Sequence, residues 1–239
     1  MTVSIGILAG MGPRSTAPFI DMLVSECQSQ YGACFDMDFP RMHIISLPTP
    51  FWPGQPVDDQ AMIAALRSGV RELVQAGVSF IAVPCNLAHN YFSEMEQVAG
   101  GIPVLHIAAS AVQQIPPSVN YVTLLATEPT LDAGYWQQKL LAEGKQLFDT
   151  PQLRTLTTAL ITSIKQQGYQ NETVSRLWQQ VTDLIAGNHS GAVLIACTDI
   201  SPLLDSGEYP FVTIDSAASL AKDVVRRYQQ QRQVEGRTD

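Results

Sequence analysis

The 239-residue chain is 46% hydrophobic and 15% charged, with 14 basic against 22 acidic residues and a formal net charge of −8. Such a chain supplies the core of one large α/β domain or two small ones, and its negative sign argues against nucleic acid or an anionic membrane surface as partner, because long-range attraction there requires positive charge. Four cysteines without a CxxC pair or a Cys/His cluster match neither a disulfide-stapled secreted scaffold nor structural zinc, and point to a reducing cytoplasm.

The opening MTVSIGILAGMGP has no basic leader, and Gly6, Gly10 and Gly12 interrupt its apolar run. It reads as a first buried strand from Ser4, not as a signal peptide or membrane span. Further strands are expected to begin at Met42 (MHIISLP), Ser79 (SFIAVP), Pro103 (PVLHI), Tyr121 (YVTLLAT), Ala192 (AVLIA) and Phe211 (FVTID). Helices are expected within 13–30, 58–75, 131–142, 152–166 and 172–185, and LAHNYFSEMEQ (87–97) is helix-compatible. The last helix, 216–231, would turn Ala217, Leu220, Ala221, Val224 and Val225 inward and leave a loose tail from Val234 to Asp239. Short apolar runs alternating with amphipathic stretches describe a parallel sheet with helices on both faces.

Three landmarks recur in the same order. SIGILAG parallels YVTLLAT, SFIAVPCN parallels AVLIACTD, and IPVLHIAAS parallels YPFVTIDSAAS. Duplication accounts for this; the competing account is the general likeness of buried strands. Duplication implies two similar doubly wound parallel-sheet α/β domains related by a pseudo-twofold axis, with a cleft between them. The first domain is read as 1–114, completed by 212–239, and the second as 115–211. QQIPPSVN (113–120) forms the first crossing, since Pro116 and Pro117 end helices, and a second crossing falls near 208–213.

In both halves the second landmark ends in a cysteine, Cys85 and Cys197. Ligands of open α/β sheets bind beyond the carboxyl ends of the strands, so a shared cleft would bring two thiols to opposite sides of one substrate carbon. One thiolate could then remove a proton from one face while the opposite thiol delivers one to the other. The helical stretches after Asn86 and after Thr198 and Asp199, with Ser201 and Pro202 as a cap and first-turn pair, are expected to lower both thiol pKa values. The bland alternative is a pair of inert small hydrophobes; Cys27 and Cys34 lack the strand-end context and read as structural.

Other features carry less. Gly10 and Gly12 follow a strand as in a dinucleotide loop, but Ser15 holds the third small position and Leu47 and Pro48, not an acid, close the second strand. A tight turn into a helix whose amides face an anion fits better. His89 and His106 read as structural, His43 and His189 show no partner, and no GxSxG elbow is present. Tyr135, Trp136 and Leu140 read as a helix packing face.

These motifs resemble the aspartate/glutamate racemase superfamily, aspartate racemase branch, along nearly the whole chain. GILAGMGPRST (6–16) looks like its glycine-rich first loop, PCNLAH (84–89) like its first cysteine motif, and LLATEPT (124–130) and IACTDISPLL (195–204) like its third and fourth signatures. The resemblance implies two α/β domains with the active site between them, usually in a homodimer, using no cofactor, neither pyridoxal phosphate nor metal. It further implies Cys85 and Cys197 as bases, Asn86, Leu87, Thr127 and Thr198 around the substrate, and backbone contacts from Gly10, Met11 and Gly12. Lys165 sits where the branch carries a lysine associated with a side-chain carboxylate, which favours aspartate or glutamate.

The chain departs from that pattern. Leu87 replaces a threonine, Asp199 stands where glutamate is usual, Pro129 replaces a glycine, and no arginine lies between Pro48 and Asp59, where aspartate-specific members carry one. The expected function is a cytoplasmic, cofactor-independent racemase inverting the α-carbon of aspartate or glutamate. The alternatives are a broad-specificity racemase or related isomerase of other amino or carboxylic acids, and a non-catalytic amino-acid-binding protein.

Overall fold

A computed structural model describes residues 3–187, 191–206 and 208–235. The first sheet is built from β1 (Ser4–Ala9), α1 (Thr16–Tyr31), β2 (Arg41–Ser46), α2 (Asp59–Gln75), β3 (Phe80–Ala82), α3 (Phe92–Ala99) and β4 (Val104–Leu105). After α4 (Ile107–Val112) the chain enters a second unit of β5 (Tyr121–Leu125), α5 (Glu128–Asp132), α6 (Tyr135–Ala142), β6 (Gln146–Phe148), α7 (Pro151–Gln167), α8 (Glu172–Gly187), β7 (Ala192–Ile195) and β8 (Val212–Asp215), and closes with α9 (Ser216–Glu235).

The strand orders are β2-β1-β3-β4 and β6-β5-β7-β8, and every pairing is parallel. Each strand of the sequence landmarks therefore occupies the same place in its sheet as its counterpart: β1 with β5, β3 with β7, β4 with β8. The two-domain α/β architecture with matching parallel sheets is as the sequence implied. β6 was not foreseen. It is the edge strand equivalent to β2, and its three residues, QLF, are too short to register as an apolar run.

Burial explains the composition of the strands. β1 is buried at all six positions, as a central parallel strand covered on both faces must be, whereas the edge strand β2 is exposed at Arg41, Ile44 and Ser46. Ile5, Ile7, Phe80 and Ala82 face one core, and Leu8, Ile81 and Val83 the other. The second sheet repeats this, with Ala192 and Leu194 on one side and Val193 and Ile195 on the opposite side. Asp58 caps α2 by accepting from the Ala61 amide at 3.0 Å, and Thr150 caps α7 by accepting from the Leu153 amide at 3.2 Å.

The helix expected within 131–142 is α6, set off from α5 by Gly134, whose φ of 76° is a left-handed value that suits glycine and ends the preceding turn. Two expectations are corrected. β8 pairs with β7 in the second sheet, so the return to the first unit follows Asp215, not residue 211. After β8, Ala217, Leu220, Ala221, Val224 and Val225 pack into the core beneath β1. The tail is ordered as helix at Val234, with α9 reaching Glu235; 236–239 and His189 lie outside the described residues. The first crossing is clamped to the second unit by Lys145, whose Nζ donates to the carbonyls of Pro116, Pro117 and Val119 at 3.4, 3.2 and 2.6 Å.

Candidate active site

The alternation that buries β3 and β7 continues past the end of each strand. Val83 and Cys85 stay on the face of Ile81, and Cys197 stays on the face of Val193 and Ile195. Because β3 and β7 hold equivalent places, this parity delivers both thiols to the same cleft. Cys85 and Cys197, each 8% exposed, line one cavity of ≈ 520 Å³ together with Gly10, Met11, Gly12, Asn86, Leu87, Thr127, Lys165 and Thr198. Every residue singled out for the site from the sequence is thus on its walls. Lys165 and Asp199 act electrostatically on both thiols, and Cys85 acts on Cys197.

The loop after β1 is held from below. Gly10 takes φ +89°, and a Cβ there would stand 2.5 Å from the Leu47 amide nitrogen, so only glycine fits. The Gly10 amide donates to Thr16 Oγ1 at 3.0 Å, and Ser15 Oγ donates to the Gly12 carbonyl at 2.8 Å.

Around Cys85, three consecutive carbonyls are each taken by a side chain. Thr198 Oγ1 donates to Pro84 at 3.1 Å, His89 Nδ1 to Cys85 at 2.8 Å, and the Tyr135 hydroxyl to Asn86 at 2.8 Å. The Ile107 amide, which can only donate, reaches His89 Nε2 at 3.1 Å. Nε2 is therefore the bare nitrogen and Nδ1 carries the proton. Burial holds His89 neutral, with its pKa lowered to about 4. Two of these three donors, Thr198 and Tyr135, come from the opposite unit. Sequence reading placed Tyr135 with Trp136 and Leu140 on a packing face; the latter two are buried in the core, while the Tyr135 hydroxyl leaves it to bridge the cleft.

The expectation of acidified thiols is corrected. Burial pushes the Cys85 thiol up to about 11, against the pull of the Ala88 amide, Lys165 and the Leu87 amide. Cys197 is also raised, by burial first and by the charge of Asp199 second. Short 3-10 segments, Leu87–Tyr91 and Ser201–Ser206, follow the two cysteine loops in place of long α-helices, so little dipole is available to offset desolvation. Ser201 does not act as a cap; its hydroxyl donates to Asp215 Oδ1 at 2.8 Å.

Lys165, on the last turn of α7, meets Asp199 Oδ2 at 2.7 Å. Burial works against its charge, but the attraction of Asp199 prevails and its pKa is raised. The pair lies against the glycine-rich loop, where a Cβ on Gly12 would come 2.7 Å from Lys165 Nζ and 2.9 Å from Asp199 Oδ1. Asp199 appeared in the sequence only as a shortened glutamate; its partner was not legible. Phe51, Met62 and Thr130, also on the cavity wall, carried no sequence signal of their own. Asn86 donates from Nδ2 to Ser216 Oγ at 2.9 Å, and Thr127 and Thr130 share a hydroxyl contact of 2.8 Å. Among the described residues, no cluster of three or more His, Cys, Asp or Glu is placed to hold a metal, and no helix is long and apolar enough to cross a membrane.

Comparison with known proteins identifies the family and the fold. Residues 8–224 match the family described as Asp/Glu/Hydantoin racemase. The broad specificity amino-acid racemase RacX of Bacillus subtilis (strain 168) is 40% identical over 224 residues, covering 94% of this chain and 97% of the relative. The fold is shared with the Picrophilus torridus aspartate racemase at TM-score 0.77 and 23% identity, over 95% of this chain and 94% of that one. It is also shared with the glutamate racemase of Francisella tularensis subsp. tularensis SCHU S4, solved with D-glutamate, at TM-score 0.68 and 14% identity over 97% of this chain and 82% of that one. With a family match running from β1 into α9 and a relative aligned nearly end to end, the chain belongs to the Asp/Glu/hydantoin racemase family.

Proposed function

We propose that this racemase inverts the α-carbon of an amino acid by proton transfer between Cys85 and Cys197. The observation that carries the reading is the shared strand parity of the two cysteines, which brings both thiols into one cavity beside Lys165 and Asp199. In one direction the thiolate of one cysteine takes the α-proton, forming S–H and leaving the electron pair on the α-carbon. The opposite S–H then protonates that carbon from the other face and is left as the thiolate. The starting charge is thereby moved from one sulfur to the other, and the reverse reaction begins from that state.

Both thiols are neutral in the cleft at pH 7, so one must ionise before turnover. Lys165 favours that step, since its charge lowers both thiol pKa values. As the carbanion forms, its charge spreads onto the α-carboxylate, and the Thr127 hydroxyl with the Met11 and Gly12 amides are the donors that the lining residues offer to receive it. Tyr135 and Thr198 tie the cysteine loop of one unit to the other, so closing the cleft and seating Cys85 become one event.

The test is solvent deuterium incorporation at the α-carbon over a panel of L- and D-amino acids. Wild-type protein is expected to exchange as it inverts, and Cys85→Ala and Cys197→Ala each to lose about 10²–10⁴-fold in racemisation. Racemisation that survives either substitution overturns the two-thiol reading, and binding without any exchange leaves only an amino-acid-binding protein. A homodimer in a reducing cytoplasm completes the proposal; sedimentation of the purified protein at a single-chain mass would remove the dimer.

A further inference from the structure

The cavity has two unlike walls. The first unit contributes Met11, Phe51 and Leu87 with Met62 behind them, all packed on the core that also contains Cys85. The second contributes the hydroxyls of Thr127, Thr130 and Thr198 and the Lys165–Asp199 pair. Lys165 and Asp199 are the charged residues among the described lining, and at 2.7 Å they cancel. Phe51, which occupies the segment where no arginine is found, lays its ring 5.7 Å from Lys165 Nζ.

An amino acid with an uncharged side chain is a zwitterion of zero net charge, and adds no charge to a cavity in which Lys165 and Asp199 already cancel. A substrate with a second carboxylate brings one more negative charge and finds no cation to receive it. Drawing Lys165 away from Asp199 would not help, because Asp199 is 4% exposed and would be left as a bare carboxylate inside the site. The second carboxylate would instead lose its water against Met11, Phe51 and Leu87, which costs free energy, whereas an aliphatic side chain gains from the same burial.

Resting on the two-thiol reading, we propose that the Met11–Phe51–Met62–Leu87 wall is the side-chain subsite, that it takes amino acids with uncharged aliphatic or thioether side chains of leucine or methionine size, and that Phe51 determines this choice.

The experiment measures kcat/KM for α-proton exchange in deuterated water with L-leucine, L-methionine, L-aspartate, L-glutamate and L-lysine, for wild type and for Phe51→Arg. Wild type is expected to favour leucine and methionine over aspartate by about tenfold or more, and Phe51→Arg to shift that ratio toward aspartate by about tenfold, as an added cation in the subsite should. Faster exchange with a charged substrate than with leucine or methionine in wild type overturns the inference and leaves the two-thiol reading intact. No exchange with any of the five removes both. Phe51→Arg that melts like wild type yet keeps its ratio removes the role of Phe51, and should that variant not fold, the wild-type ratio decides alone.

Discussion

The Tyr135 hydroxyl, on the first turn of α6 in one unit, donates at 2.8 Å to the Asn86 carbonyl in the cysteine loop of the other. With Thr198 on Pro84 and His89 on Cys85, it fixes the peptide planes on either side of a reacting sulfur. A hydrogen bond of this kind contributes about 1 kcal/mol net, and a small misplacement of a reacting group costs far more in rate than in stability.

Tyr135→Phe removes only the oxygen. It is expected to cost about 1 kcal/mol in urea unfolding while lowering kcat by about tenfold or more, and to raise the alkylation rate of Cys85 relative to Cys197. Unchanged kcat with an unchanged alkylation ratio would show that the hydroxyl has no part in seating the thiol.

The raised thiol pKa values predict sluggish cysteine chemistry in the absence of substrate. Only the thiolate reacts with iodoacetamide, so labelling of Cys85 should be slow at pH 7 and climb toward pH 11, following its pKa of about 11. Cys197 should lag, because the Asp199 charge adds to burial there, whereas the second influence on Cys85 is the favourable Ala88 amide. Peptide mass spectrometry of the labelled protein checks both the slope and the order.

Breaking the Lys165–Asp199 pair leaves a carboxylate that is 4% exposed without its cation. Lys165→Met is expected to destabilise the protein by about 2 kcal/mol, below the 3–5 typical of a fully buried pair because the Lys165 side chain keeps 24% exposure. Asp199→Asn in the same background should restore most of the loss. Denaturant unfolding of the single and double variants gives the coupling directly.

His89 predicts an acid-sensitive fold. Folded, it stays neutral to about pH 4, while in the unfolded chain it protonates near the ordinary 6.5. Between those values the unfolded state binds the extra proton, so stability falls as pH is lowered from 6.5 to 4 and this contribution is exhausted below. The full effect is on the order of 3 kcal/mol, with His106, also lowered chiefly by burial, acting in the same direction. Urea midpoints across this range should show the slope, and His89→Gln should flatten it.

Local sequence carries the grammar of the fold: buried parallel strands are continuous apolar runs, so β1, β3, β5 and β7 were legible, and with them the two cysteines just past equivalent strand ends. A duplicated order of landmarks then determined a duplicated order of strands. Tertiary structure decided whatever depends on two distant segments meeting. β6 exists because an edge of the second sheet was open to a three-residue segment with no run of its own. Tyr135 finds Asn86 across 49 residues, and Lys165 is spent on Asp199 from another element. The thiols are raised because burial is a property of the closed cleft, whereas the capping pattern after each cysteine is a property of a few neighbouring residues. Periodicity records which face a side chain takes; only packing determines what stands opposite it, and the charge and hydration of this site are set there.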